Sequence, residues 1–528
     1  MDADDLPDGA AELIEKVALK NAVEHGGEAQ AGPVVSALLG DHPGLKQDMG
    51  DVKPFIDDVV DEVNAMSVDE QREDVLAIDP DALETEDPNT DPLKEVDIGE
   101  GEDVVTAFPP APEKYPHIGH AKALFLNYLL ADRHDGEFIL RFEDSNPLSV
   151  ESEYYDAMIE DFEWLGVEFD DVVYASDHMQ LFYKQCRELI ESGDAYVADE
   201  SAERISQARR DQEALLSRSN TVEENISLWE EFVRGDVHDV VVLLKGDMEH
   251  KNSTMRDPAL MREVDGEHAR QGQRYSVWPT YDFQTTCLDG EYGVTHRVRS
   301  KEFELRNELH RHLQELMGYE PTEIYEFARF EVEDAIVSGR EIRKGIEDGS
   351  FTGWDDPQLM TLRALRRRGI QPTAIEEFVL ATGLSKTEAK RPIDELYQAN
   401  YDSVIDDASN ALFVEAGVDV TVGDTVVHVD SEASAHLEEG MTYESWDGFR
   451  FRYLGSSSGE RITEADASLD AVTEGNSRHV TLVMPDGSRR NGDFIVDGDY
   501  EQDSIVRIKH AGFARIDDTA ANTLWFAH

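Results

Sequence analysis

One segment, residues 103–145, limits the possible folds of this chain more than any other. The stretch DVVTAF is a short apolar strand, and the loop PPAPEKYPHIGH follows it. The helical run AKALFLNYLLADRH and a second buried strand, GEFILRFEDS, come next. Strand, helix and strand in this order form a βαβ unit with parallel strands. The chain is therefore predicted to contain a doubly wound α/β sheet.

The loop of this unit carries the motif with the clearest chemistry. Its prolines hold the chain extended, and His117, Gly119 and His120 then stand at the start of the helix, where open α/β sheets bind ligands. A helix N-terminus presents free N–H groups to phosphates. Histidines at i and i+3 share one face, and the glycine between them allows close approach. The motif predicts a phosphate-binding site, although two histidines without this context would be read as solvated or capping residues.

Charge is the second constraint, because 114 Asp and Glu face 48 Lys and Arg, a net charge of −66. The acidic excess is spread over the whole length, which favours a surface adapted to molar salt over a dedicated acidic binding protein. Charge alone argues against a nucleic-acid partner. A chain with 40% hydrophobic residues could be disordered, but its periodic apolar stretches predict folded domains.

Other classes of protein are excluded by what the sequence lacks. It has no run of about 18 apolar residues that could span a membrane, and its first residues do not form a signal peptide. Two cysteines, Cys186 and Cys287, cannot build a disulfide framework, and no CxxC pair offers a zinc site. We expect a soluble, cytoplasmic protein without a resident metal.

Changes in composition and in hydrophobic periodicity along the sequence predict six segments. Helical periodicity with a linker comes first, followed by the first α/β half, a charged mixed insertion, the second α/β half, a helical region, and an all-β module of barrel type. In this order the predicted segments are residues 1–97, 98–195, 196–270, 271–346, 347–400 and 401–528. The first of them is interpreted as an accessory helical bundle without chemistry of its own.

Several stretches together resemble class I aminoacyl-tRNA synthetases of the glutamyl/glutaminyl subfamily. The matching stretches, in order, are TAFPPAPEKYPHIGHAKALFLNYLLA with its "HIGH" signature, LRFEDSNP, EDFEWLGVEFDDVVYASDH, MRDPALMR, WPTYDF, GVTH, GWDDPQLMTLRALRRRGIQPTAI and the closing AGFARIDDTAANTLWFAH. The early stretch LKNAVEHGGEAQ resembles the extra helical domain of archaeal members. The resemblance covers nearly the whole chain.

The resemblance implies a multidomain α/β enzyme that activates glutamate with ATP and Mg²⁺ and passes it to tRNA(Glu), and in archaeal members also to tRNA(Gln). It implies a monomer with a Rossmann-type catalytic domain that holds an acceptor-end-binding insertion. A helical stem-contact region and a C-terminal β-barrel that binds the anticodon would follow.

The same resemblance assigns site residues. His117 and His120 would be catalytic, and no residue is assigned to a metal. ATP would meet Pro110, His117, Gly119, His120, Ser338 and Arg340. The amino acid would occupy the positions of Ala107, Glu143, Trp278, Tyr281 and Arg299. Transfer RNA would meet Arg363, Arg366, Arg367 and Arg368, a cluster that a solvated helix face would also explain.

Four positions depart from the family pattern. Ala107 stands where the family has an arginine that pairs with the substrate carboxylate, and Glu143 and Trp278 replace an aspartate and a tyrosine. The signature usually written KMSKS is IVSGRE here, so that Gly339 stands where its central lysine would reach the phosphates. Arg340 is the candidate substitute; the alternative is a surface loop that has lost its role.

Three hypotheses follow from these departures. The chain is a working glutamyl-tRNA synthetase whose carboxylate partner comes from elsewhere, with Arg299 and Lys301 as candidates. Alternatively it is a paralogue with the same nucleotide site but another acid or acceptor, or a non-catalytic relative that binds RNA or nucleotide.

Overall fold

The computed structural model describes most of the chain. The described residues are 91–415 except 100 and 334; the ranges 10–24, 31–41 and 49–64 with residues 7, 29, 45, 66, 71, 75 and 78; and 417–422, 425–430, 442–444, 450–452, 471–473, 477–496, 500–509 and 511–528. Two compact units divide it, Met1–Thr90 and Asp91–His528. Residues 79–90, which belong to the predicted linker, lie outside the described part.

The first unit is helical, as its apolar periodicity predicts. Its helices are α1 (Ala10–Glu24), α2 (Ala31–Asp41) and α3 (Met49–Asn64). They meet through apolar side chains, among them the fully buried Ile14, Leu38 and Ile56. Removing such side chains from water is the main stabilising contribution to a small helical unit of this kind.

The second unit is built on a parallel sheet of five strands. The strands are β1 (Val105–Phe108), β2 (Glu137–Phe142), β3 (Asp171–Tyr174), β8 (His296–Ser300) and β9 (Glu323–Phe327), in the order β3-β2-β1-β8-β9. All four pairings are parallel. The predicted βαβ unit is therefore confirmed, and the sheet is Rossmann-like.

The two faces of this sheet differ in character. One face buries Phe108, Phe138 and Leu140 against α4 (Ile118–Asp132) and α5 (Ser152–Trp164). The other face carries Ala107, Ile139 and Val173, and its arginines reach α9 (Tyr281–Glu291). Two-sided coverage explains why these strands read as nearly continuous apolar runs.

Between β3 and β8 lies a second, antiparallel sheet. After α6 (Met179–Glu191) the chain forms β4 (Ala195–Ala198), β5 (Val241–Leu244), β6 (Ala259–Glu263) and β7 (Val277–Pro279), paired in that order. Helices α7 (Ala202–Asp211) and α8 (Val222–Arg234) fall between β4 and β5. Of its strands, β5, β6 and most of β4 fall within residues 196–270, the predicted insertion, and β7 lies beyond that range.

The second α/β half leads into helices. After β8 come α10 (Asn307–Met317) and β9, and then β10 (Phe330–Val332), which pairs in parallel with β11 (Ala389–Arg391). The helices of this part are α11 (Gly339–Asp348), α12 (Leu362–Arg368), α13 (Pro372–Leu380) and α14 (Ile393–Val404). Caps at both ends define α12, where Thr361 accepts from the Ala364 N–H and Gly369 takes a left-handed conformation with φ +92°.

The C-terminal strands form a closed six-stranded barrel, which confirms the predicted β-barrel. The barrel strands are β12 (Ser409–Val414), β18 (Arg478–Val483), β19 (Arg489–Val496), β20 (Ile505–Ile508), β21 (Gly512–Asp518) and β22 (Thr523–Phe526), in the order β12-β19-β18-β22-β21-β20. Outside it lie β13 (Gly417–Val422), β14 (Thr425–Asp430) and β17 (Ala471–Thr473), which form one sheet, and the pair β15 (Thr442–Glu444) and β16 (Arg450–Arg452). Buried Leu482, Ile516 and Leu524 lie within the barrel core.

Two expected absences can be compared with the structure. Both cysteines are buried free thiols, so they form no disulfide. In the helices that the structure describes, no segment is long and apolar enough to cross a membrane.

Candidate functional site

A cavity of about 960 Å³ opens at the carboxyl ends of β1 and β8. That volume is typical of sites that bind a substrate or cofactor. Its lining includes the histidine loop, Glu143 just after β2, Tyr281 and Gln284 of α9, and Arg297 and Arg299 of β8. Of the predicted site residues, it is lined by Pro110, His117, Gly119, His120, Glu143, Tyr281, Arg299 and Ser338.

His117 and His120 are held by the first turn of α4. His117 is the N-cap, with φ −128° and ψ 171°, and its Nδ1 accepts from the Gly119 N–H at 3.1 Å. The His120 Nδ1 in turn accepts from the His117 N–H at 3.1 Å, and the two ring centroids lie 4.0 Å apart. This reciprocal capping box fixes both rings.

The protonation of these rings follows from their surroundings. Burial lowers the pKa of His120 to about 3, and burial together with the neighbouring His120 lowers the pKa of His117 further. Both rings are therefore neutral near pH 7. Because each Nδ1 accepts a hydrogen bond, each Nε2 carries the proton and acts as a donor.

Glycine is required at position 119 because the His117 ring lies close to its Cα. A Cβ at Gly119 would lie 2.9 Å from Cε1 of His117. Any side chain at this position would displace the capping ring.

The second predicted phosphate segment lies across the cavity. Ser338 lines it and also caps α11, accepting from the Glu341 N–H at 3.4 Å. Arg340 is exposed and does not line the cavity. Arg340 therefore does not replace the lysine that the family has at position 339. Consecutive side chains on a helix point about 100° apart, so Arg340 points in a different direction from a side chain at position 339.

The floor of the cavity is a buried charged cluster. Arg141 of β2 donates to Glu143 at 2.8 Å and to Oδ1 of Asp289 at 2.6 Å. Arg297 of β8 donates to the same Asp289 oxygen, and His310 Nε2 lies 3.1 Å from Oδ2. Burial alone would raise the pKa of Asp289, but the charges of Arg297 and Arg141 outweigh it and hold this pKa well below its usual range.

Glu143 is the acidic residue of the floor that faces the cavity. Its Oε1 accepts from Arg141 and from the Thr285 hydroxyl at 2.9 Å, and its Oε2 has no hydrogen-bond partner among the described residues. Burial raises the pKa of Glu143, and Arg141 and Arg297 oppose that shift. An ammonium group in the cavity would satisfy the free oxygen.

The sequence pattern did not identify Arg297, which is the most informative residue of the floor. It lines the cavity, is only 1% exposed, and its Nε and Nη1 have no hydrogen-bond partner among the described residues. The parallel register pairs Thr106 with His296. Ala107 and Arg297, one residue further along each strand, therefore lie side by side.

The remaining amino-acid positions differ in their placement. Arg299 lines the cavity, donates to Asn307 and lies over the Phe303 ring at 5.7 Å. Ala107 is fully buried beside Ile139 and does not line the cavity, because its side chain is too short to reach it. Trp278 likewise lies behind the lining, where it stacks on a histidine ring at 4.9 Å.

Lys301, the other candidate carboxylate partner, lies outside the cavity. It pairs with Glu388 at 2.9 Å instead. The candidate from the sequence that does line the cavity is therefore Arg299.

The arginine cluster of α12 is paired within the protein. Arg363 contacts Glu160 at 2.7 Å, and Arg366 contacts the same carboxylate at 3.2 Å. Arg367 lies between two aspartates and over the Trp525 ring at 3.9 Å.

Arg368 differs from the other three because it is buried. It donates to the Tyr397 hydroxyl at 2.7 Å and to the Ala527 carbonyl at 2.6 Å. This placement gives Arg368 a structural role, the anchoring of the chain end, rather than the predicted contact with RNA.

The buried floor cluster leads to a stability prediction. Asp289→Ala is expected to lower the free energy of unfolding by about 3–5 kcal/mol, because it leaves Arg141 and Arg297 buried without their shared partner. Urea unfolding followed by circular dichroism measures this change. Glu191→Ala, which removes an exposed pair with Arg187, is the control and is expected to lose less than about 1 kcal/mol. Equal losses in the two variants would contradict the prediction.

Comparisons with known proteins agree with this geometry. Residues 103–404, more than half of the chain, match the family described as tRNA synthetases class I (E and Q), catalytic domain. The glutamate–tRNA ligase of Nitrosopumilus maritimus is 36% identical over 94% of this chain and 86% of its own length. The glutamate–tRNA ligases of Methanothermobacter thermautotrophicus and Pyrococcus abyssi are 32% and 38% identical, over 98% and 76% of this chain and 99% and 72% of theirs.

Proposed function

The chain belongs to the class I tRNA synthetases for glutamate and glutamine (E and Q), and we propose that it is a glutamate–tRNA ligase. The observation that carries this proposal is a single cavity. It joins the histidines at the α4 N-terminus to a buried floor with arginines and one carboxylate. A nucleotide triphosphate and an acidic amino acid would meet there.

The proposed reaction has two steps. An oxygen of the α-carboxylate of glutamate attacks the α-phosphorus of ATP and forms glutamyl-adenylate, while the Pα–O bond to the β-phosphate breaks and pyrophosphate leaves with the electron pair. In the second step a ribose hydroxyl at the 3′ end of tRNA attacks the acyl carbon, AMP leaves, and the hydroxyl proton is lost to solvent.

In the first step His117 and His120 would act on the phosphates. Both rings line the cavity at the start of α4, and their Nε2–H groups can donate to oxygens on which charge accumulates. Because the rings are neutral and held by a capping box, this stabilisation requires little reorganisation.

Glutamate would lie on the floor. The free Oε2 of Glu143 would accept from the α-ammonium group, and Arg297 with Arg299 would bind the side-chain carboxylate. Three buried arginines face two carboxylates there, Glu143 and Asp289, so the floor has room for one more negative charge.

Mg²⁺ would accompany ATP. Among the described residues no group of three or more histidine, cysteine, aspartate or glutamate side chains could hold a metal ion. Mg²⁺ binds mainly to substrate phosphates and water, and it would supply charge neutralisation on those phosphates.

The rest of the chain would hold tRNA. Arg262 of β6 and Pro279 of β7 line the cavity, so the inserted sheet reaches the place where an acceptor end must enter. We assign residues 347–400 to the inner stem and the barrel to the anticodon. We further propose that tRNA(Gln) is also accepted, and that the enzyme works as a monomer in the cytoplasm, where charged tRNA is used.

The net charge of −66 fits an enzyme that works in molar salt. There the repulsion between carboxylates is screened within about 3 Å. Counterion release contributes little to RNA binding under those conditions, so recognition would depend on shape, stacking and 2′-hydroxyl contacts.

The deciding experiment is ATP–pyrophosphate exchange with glutamate, with and without homologous tRNA, at 0.2 M and 3 M KCl. We expect glutamate-dependent exchange that is faster at 3 M KCl. Exchange that no condition makes dependent on glutamate would refute the proposal. A panel of other amino acids and a tRNA-charging assay would then separate a paralogue with another acid from a non-catalytic relative.

A further inference from the structure

Lys114 has no role in the site described so far. It belongs to the loop between β1 and α4, lines the cavity and is half-buried. Its Nζ lies 3.2 Å from Nε2 of His117. Among the described residues, no carboxylate lies within ion-pair distance of this ammonium group, although the chain as a whole is strongly acidic.

The contact between Lys114 and His117 is frustrated. The two ring nitrogens of His117 face two donors, the Gly119 N–H at Nδ1 and the Lys114 ammonium group at Nε2. A neutral imidazole can accept at only one nitrogen. An acceptor oxygen placed between Lys114 and the His117 Nε2–H would satisfy both donors, and a phosphate oxygen is such an acceptor.

The electrostatic surroundings favour an anion at this place. Burial lowers the pKa of Lys114; Glu113 opposes the shift, and the charges of Arg343 and Arg329 add to it. Arg329 also lines the cavity. A ligand with several negative charges would relieve the repulsion among these cations.

Gly339 lies directly against the Lys114 side chain. A Cβ at Gly339 would lie 2.9 Å from Cδ and 3.3 Å from Cβ of Lys114. The Lys114 side chain therefore passes through the volume that any side chain at position 339 would need. Glycine at this first position of α11 leaves that volume to the lysine.

We propose that Lys114 binds the phosphate chain of ATP, and that Gly339 makes room for it. The proposal rests on the ATP site of the proposed function. When the Pα–O bond breaks and pyrophosphate takes the electron pair, the Lys114 ammonium group donates a hydrogen bond to the leaving oxygen and keeps its proton. The lysine missing from α11 is thus supplied by the loop that faces it.

The first test is the neutral variant Lys114→Gln. It is expected to lower the rate of ATP–pyrophosphate exchange about 10²–10³-fold, the usual effect of removing one donor from developing charge. Lys184→Gln, which changes an exposed lysine of α6, is the matched control and should retain full exchange. Equal melting temperatures of the variants confirm that both are folded. Exchange within threefold of the unmodified enzyme in Lys114→Gln would overturn the proposal.

The second test moves the lysine across the cavity. Gly339→Lys should lower exchange, since the new side chain collides with Lys114, and Lys114→Gly should lower it by loss of the cation. Lys114→Gly/Gly339→Lys is expected to recover at least tenfold over Lys114→Gly. A double variant whose loss equals the product of the single losses would overturn the coupling of the two positions.

A third measurement separates this inference from the proposed function. Calorimetric titration with MgATP needs no amino acid and no tRNA, and Lys114→Gln is expected to weaken MgATP binding about tenfold or more. If exchange does not depend on glutamate but MgATP binding still weakens in the variant, the proposed substrate is wrong and the assignment of Lys114 stands. Equal binding by both proteins, or no binding by either, overturns the assignment.

Discussion

Replacing His120 with alanine is expected to lower glutamate-dependent ATP–pyrophosphate exchange about 10²–10³-fold. The alanine removes an Nε2–H donor aimed at the phosphates and half of the capping box, because the His120 Nδ1 accepts from the His117 N–H. His117 then loses its fixed orientation as well. Pre-steady-state exchange with saturating glutamate and MgATP measures the effect.

The control for this variant is a second histidine, which lies near the other end of α4. His134→Ala changes an exposed residue just beyond the end of α4 and should retain full exchange. Unchanged exchange in His120→Ala would place the phosphates elsewhere. Because His120 also orients His117 through the capping box, a loss of exchange without a loss of melting temperature assigns the effect to the histidine pair and not to the fold.

The pH dependence of the same assay adds an independent check. The pKa of His120 is lowered from 6.5 to about 3. In the unfolded chain this ring takes up a proton below about pH 6.5, whereas in the folded enzyme it stays neutral down to about pH 3. Stability is therefore lost as the pH falls below 6.5, but the exchange rate of the folded enzyme should show no ionisation of His120 between pH 8 and pH 6.

The parts of the site that were predictable from sequence are those whose members are neighbours in the chain. His117, Gly119 and His120 lie within one helical turn, so strand, loop and helix order sufficed to place them. The closed barrel followed from alternating strands and turns in the same way, as did the βαβ core of the parallel sheet.

The residues that were missed are brought together by tertiary contacts. Ala107 and Arg297 are neighbours only because β1 pairs with β8 rather than with a strand next to it in the chain. Lys114 and Gly339 meet across the cavity although they lie on separate elements. Both Arg297 and Lys114 are visible in the sequence, but sequence alone does not show which positions face each other.

Replacing Arg297 with glutamine is expected to lower kcat/KM for glutamate roughly 30- to 4,000-fold, mainly by raising KM. This factor corresponds to a loss of about 2–5 kcal/mol of binding free energy. Arg297 is a buried cation of the floor whose Nε and Nη1 have no hydrogen-bond partner among the described residues, and a carboxylate bound there would lose its partner in the variant. The floor itself should remain intact, because Asp289 keeps Arg141 at 2.6 Å and His310 at 3.1 Å.

Two companion measurements make the Arg297 result specific. MgATP binding without glutamate should be unchanged in Arg297→Gln, since the arginine lies on the floor and not beside the phosphates. Ala107→Arg added to Arg297→Gln should recover part of the affinity for glutamate, because the register places the new guanidinium beside the vacated one. If KM for glutamate stays the same in Arg297→Gln and rises in Arg299→Gln, the carboxylate partner is Arg299. That result would refute the assignment of Arg297 on β8 as the substitute for the arginine that the family has at position 107 on β1.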